Sequence, residues 1–147
     1  MITSQIFSVL FVLASIIGFV LVVRTWPKIK TMDKRQILFA SFLPLLSCVL
    51  FWSLALHMHT NFAGWPEQIG DDDFPSALKQ HASIQAFIFS CTFGIAFVVA
   101  PLLALIFSLA PKLKPLLDYL GIFYLALVPL VFGFWISPTG YLDWWWD

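Results

Sequence analysis

The sequence predicts an all-α integral membrane protein: a bundle of four antiparallel transmembrane helices with the N-terminus and the C-terminus both outside. Three observations lead there. Of 147 residues, 61% are hydrophobic and 11% charged, with a mean hydropathy of +0.91; soluble domains carry about 25% charged residues. The apolar residues fall into four long runs, near 2–23, 37–56, 82–110 and 116–136, each long enough for a hydrocarbon core of about 30 Å. The basic residues then sort by connection, with seven of the eight Lys and Arg in the first and third connections.

The first run has no basic residues before it, the reverse of a removable signal peptide, and reads as a true span. Arg24, Lys28, Lys30, Lys34 and Arg35 follow it, with Trp26 at headgroup level and Pro27 at the turn. The second run contains Pro44, which is expected to bend it, and ends at His57 and His59. The segment 58–80 is the one sizeable non-membrane loop. Within it, Asp71, Asp72 and Asp73 precede Pro75, an N-terminal helix signature.

The third run, from Ala82 to Ala110, has no charge anywhere. Its small residues form two ladders, Ala82, Ala86, Ser90 and Gly94, then Ala96, Ala100, Ala104 and Ser108. Small residues four apart let a neighbouring backbone approach closely. Residue 96 points roughly opposite residue 94, so the ladders face different neighbours and this span is expected to be the central helix. Gly94→Leu is accordingly expected to disturb the fold. A turn at 110–115 with Lys112 and Lys114 leads to the fourth run, where Asp118 is explained as a cap or a local partner of Lys114. The tail 137–147 ends in Trp144, Trp145 and Trp146.

The positive-inside rule places the two basic connections in the cytoplasm, with the termini, the 58–80 loop and the tail outside. A bacterial inner membrane suits that distribution, and 1–147 reads as a single membrane domain. The zero net charge, without a basic tract, excludes nucleic acid as a partner. Cys48 and Cys91 lie within spans and form no disulfide framework.

The residues offer few chemical groups. His57, His59 and His81 with Asp71, Asp72 and Asp73 form an outer rim of ligand types that suit zinc or another divalent ion, although there is no HExxH or CxxC. No Asp, Glu, Lys or Arg lies mid-span as an ion path would require. No nucleophile elbow or phosphate loop is present, and no cofactor is expected. The expected partners are membrane lipids and another membrane protein, or a second copy. Asp71, Asp72 and Asp73 supply charge for such a contact, and Trp144, Trp145 and Trp146 supply apolar area. The expected role is a non-enzymatic inner-membrane protein that binds another membrane protein, as an accessory subunit or an immunity-type inhibitor. The alternatives are a small oligomeric channel or transporter, and a membrane-embedded metal enzyme using the His/Asp rim.

Overall fold

A computed structural model describes residues 2–62 and 75–146. The chain forms α1 (Ile2–Thr25), a 3-10 turn (Trp26–Thr31), α2 (Lys34–Phe62) and α3 (Ser76–Gly94). A π-helical turn (Ile95–Val99) joins α3 to α4 (Ala100–Leu109). A second 3-10 turn (Pro111–Leu116), α5 (Leu117–Ile136) and α6 (Thr139–Trp146) complete it. Four helical segments are long and apolar enough to cross a membrane, and this is an all-α membrane-spanning protein. The third segment is α3, the π turn and α4 together.

The central helix is α5, not the third span. It buries Leu117, Gly121, Ile122, Phe123, Leu127, Leu130 and Gly133 and packs extensively on both α1 and α2, whereas the third span buries Leu78, Gln85, Thr92 and three alanines, Ala96, Ala100 and Ala104, and its α3 part packs chiefly on α2. Three features of α5 make this possible. Toward α1, Gly121 lets two backbones meet: a Cβ there would lie 2.7 Å from the Leu21 carbonyl oxygen and 2.1 Å from Thr25 Oγ1. Toward α2, a Cβ on Gly133 would stand 3.1 Å from Trp52 Nε1. Between them, Phe123, Leu127 and Leu130 join Phe51, Leu54 and Met58 of α2 in the main core.

The two small-residue ladders have different fates. Ala96, Ala100 and Ala104 are buried, and Ser108 is exposed. In the first ladder Ala82 is half-buried against the core, but Ala86, Ser90 and Gly94 are exposed, and a Cβ on Gly94 would meet nothing within 4 Å. The expectation that this ladder packs within the bundle is therefore corrected. Each step of four advances about 40° beyond a full turn. From Ala82 to Gly94 the ladder rotates by about 120°, from beside the core into open space.

The ends differ from expectation as well. His57 and His59 lie inside α2, which continues to Phe62 while Thr60 Oγ1 and Asn61 Nδ2 donate back to the His57 carbonyl. After Pro138 the tail turns into α6. Asp118 pairs across the bundle rather than with Lys114. Lys28 Nζ lies 2.8 and 3.0 Å from its two carboxylate oxygens, and Arg24 Nε lies 3.6 Å away. The Arg24 guanidinium also donates to the Lys114 carbonyl, tying the two basic connections together.

These contacts set the order of glycine sensitivity. Gly121→Ala drives a methyl into the α1 backbone and is expected to cost about 1–3 kcal/mol, an overpacking penalty. Gly94→Leu, with open space around it, is expected to stay within about 0.5 kcal/mol of the parent. Thermal unfolding in mild detergent checks both; equal losses at the two positions would contradict the packing described.

Candidate functional site

The third span is interrupted where Pro101 enters it. Proline has no N–H to donate and its ring crowds the preceding turn. The helix responds by widening: the Ala100 N–H bonds the Ile95 carbonyl, five residues back. The Ala96 carbonyl thereby loses both ordinary donors, Ala100 by the change of register and Pro101 by chemistry. In hydrocarbon there is no water to replace them. Tyr124 of α5 does so, its hydroxyl donating to the Ala96 carbonyl. The same ring lies on Gly18 of α1, where a Cβ would fall 2.6 Å from Cδ1. One tyrosine thus joins α1, the third span and α5. Tyr124 was recognisable in the sequence only as a polar mid-span residue. A span residue carrying a hydroxyl, set against a proline-broken helix, was the available signal.

Around this joint the bundle is uneven. On the side of the basic connections, Leu21, Ala104 and Leu117 form a second core, with Ile17, Phe107 and Leu120 packed on it. On the other side α3 packs on α2 and touches α5 through Phe89 and Phe134, whose ring centres are 5.2 Å apart, while the rest of the space between α1, α3 and α5 is left unfilled. A cleft of about 1060 Å³ opens there. Ala14 and Ser15 of α1 line it, with Phe89, Ser90 and Phe93 of α3 and Val128, Val131 and Trp135 of α5. Phe11 and Phe97 stack at 5.0 Å, so the rings of α1 and the third span touch at its wall. The lining is almost wholly apolar. Of its hydroxyls, Ser15 donates to the Phe11 carbonyl and Tyr124 to that of Ala96.

The histidines occupy the α2–α3 contact. His57 Nδ1 and His81 Nδ1 are 3.0 Å apart, and His81 Nε2 is 3.1 Å from Ser53 Oγ. Ser53 donates its own proton to the Leu50 carbonyl, so its oxygen accepts from His81 Nε2–H. His81 then presents a bare Nδ1, which accepts from His57 Nδ1–H. The ring centres are 5.3 Å apart. That exceeds the nitrogen separation by about two ring radii, so the nitrogens face each other head-on rather than converging on a third point. A metal bound by both Nδ1 atoms requires one ring to turn. His59, two residues from His57 and hence on another side of α2, is exposed. Among the described residues, no group of three or more His, Cys, Asp or Glu side chains comes together. Asp71, Asp72 and Asp73 lie outside the described residues, as do the side chains of Trp144, Trp145 and Trp146.

What holds α6 is Tyr141, which in the sequence counts only as one of several aromatics on the outer side. Tyr141 is fully buried, its ring lies tilted against Phe51 with centres 5.1 Å apart, and its hydroxyl donates to the Phe51 carbonyl at 2.9 Å. Ser137 Oγ donates to the Gly133 carbonyl, closing the end of α5. The tail is thereby fastened to α2 through its tyrosine.

No family model, no curated protein and no solved structure matches this chain. The geometry is therefore the basis for a functional reading.

The tyrosine joint makes a specific energetic prediction. Tyr124→Phe keeps the ring on Gly18 but strands the Ala96 carbonyl, at an expected cost of about 1–3 kcal/mol. Pro101→Ala restores a backbone donor to that turn, so in its background Tyr124→Phe is expected to cost much less. A double-mutant cycle on detergent unfolding measures the coupling; additive effects would show that the hydroxyl does not compensate for the proline.

Proposed function

We propose that this chain is a non-enzymatic inner-membrane protein that binds another membrane protein, as an accessory subunit or an immunity-type inhibitor. The observation that carries this reading is the bare face of α3. Ala86, Ser90 and Gly94 form a small-residue ladder of the kind at which helices approach closely, and among the described residues nothing lies within 4 Å of a Cβ on Gly94. A partner helix on this face gains packing that the chain does not supply to itself. Phe87, 68% exposed on the same helix, flanks the ladder with apolar area.

The charges support a matching orientation, with the connections 24–35 and 110–115 in the cytoplasm and the α2–α3 connection and α6 outside. In that frame Asp71, Asp72 and Asp73 add an acidic contact for the partner at the outer surface, and the tryptophans of the tail add an apolar one. The four spans then alternate in direction. The runner-up, an oligomeric conducting pore, gains no support from the sequence of the spans, which hold no mid-span acid or base.

Two measurements test this. In a background without Cys48 and Cys91, single cysteines at Thr31, Gln68 and Asp143 are expected to label from outside at 68 and 143 only; external labelling at 31 would reverse the orientation. A photo-crosslinking residue at Ser90 in native membranes is expected to capture a different protein, while one at Phe39, which is 81% exposed on α2, captures none. Gly94→Leu is expected to abolish the adduct without lowering the melting temperature. Adducts only between copies of this chain, or none at Ser90, would overturn the partner-binding reading.

A further inference from the structure

We propose that the cleft between α1, α3 and α5 is a binding site for the acyl chains of one membrane lipid, drawn from the leaflet next to α6. The site is separate from the bare α3 ladder in its geometry, although Ser90 borders both. Four observations define the occupant.

The first is depth. Along α5 the lining runs from Tyr124 to Trp135, about 16 Å at 1.5 Å per residue. Half of a hydrocarbon core of about 30 Å is about 15 Å. The cleft is therefore one leaflet deep.

The second is its floor. At Tyr124 the hydroxyl bond to Ala96 and the contact with Gly18 close the gap between α1, the third span and α5. Beyond that point the second core fills the bundle. A spanning partner helix needs a groove through both leaflets, and this one ends at mid-depth. An acyl chain needs only half the thickness.

The third is chemistry. The hydroxyls of Ser15 and Tyr124 are spent on backbone carbonyls, so Ser90 is the remaining hydroxyl in a described lining otherwise made of aromatic rings and aliphatic groups. Among the described residues, no charged side chain lines the cleft. A polar solute would lose its hydration there without compensation, whereas a hydrocarbon chain loses none.

The fourth is size and mouth. The volume of about 1060 Å³ is at the upper end of small-molecule sites, about 300–1,000 Å³. Trp135, 85% exposed, stands at the end away from the floor with Leu142 of α6. An indole at that level suits the boundary between chains and headgroups, so the headgroup stays at the surface while its chains descend to Tyr124.

The test compares retained lipid, read by native mass spectrometry of the full chain released from membranes in mild detergent. The parent is expected to carry one phospholipid that survives detergent exchange. Val128 lines the cleft and is 55% exposed, so Val128→Trp fills the space without entering the packed core. Val98, 56% exposed and not part of the lining, gives the control Val98→Trp. The expected result is at least a tenfold loss of the lipid-bound fraction in Val128→Trp and no change in Val98→Trp, with equal melting temperatures in lipid-free detergent. Equal retention by both variants would show ordinary boundary lipid and overturn the proposal, as would a parent that carries none. Capture of a protein at Ser90 has no bearing on this readout, and lipid retention has none on that capture, so either reading fails alone.

Discussion

A single unsatisfied carbonyl constrains the centre of this molecule. Pro101 removes a backbone donor in the middle of a span, where water cannot stand in. The helix absorbs part of the loss by a π turn, and that shift leaves Ala96 with no donor of its own. The hydroxyl of Tyr124 meets it from α5. This bond does more than repair a ladder. It fixes the height of the third span against α5, and through the ring on Gly18 it fixes α1 as well. Deviations from regular helix in membranes are tolerated where a neighbour satisfies the freed group, and here the neighbour is the central helix.

The same joint divides the bundle into a packed half and an open half. Below Tyr124, α1, α4 and α5 meet through small residues and a compact core, and Asp118 holds Arg24 and Lys28 across the connections. Above it, α3 follows α2, guided by Leu78, Gln85 and the histidine pair, and leaves α1. A straight third span could not do both. The widened turn at Ile95–Val99 lets α3 and α4 serve different neighbours, and the cleft is the space that this change of partner leaves open.

Hydropathy and charge made the four spans legible, because bilayer thickness acts on composition residue by residue. Of the second ladder, Ala96, Ala100 and Ala104 are buried while Ser108 is exposed. The fate of the first ladder was not legible. Spacing shows that small residues share a stripe, but not which neighbour the stripe meets, and Gly94 ends in open space. The central role of α5 was hidden for a related reason. Its contacts depend on single glycines, Gly121 and Gly133, spaced too far apart to form a motif. Asp118 had a sufficient local explanation in Lys114, and only the fold brings Lys28 nearer. Tyr141 resembled an interfacial aromatic, and its partner, the Phe51 carbonyl, is ninety residues away.

Stability and the proposed binding draw on different surfaces. The groups that hold the helices together are spent: Tyr124 on Ala96, Tyr141 on Phe51, Ser53 on Leu50, and His57 and His81 on each other. A side chain whose donors and acceptors are satisfied internally adds rigidity and offers little chemistry to a ligand. Apart from the buried Thr25 and Ser47 hydroxyls, which have no hydrogen-bond partner among the described residues, the bundle also leaves apolar shape unspent, in the bare ladder of α3 and the cleft beside it. Between apolar protein and apolar lipid there is no hydrophobic gradient, so selectivity in the membrane rests on fit and on close packing. A rigid frame built from internal hydrogen bonds is what allows such shapes to persist, since a cleft walled by mobile helices would close on itself and a ladder that rotated would present bulky side chains instead.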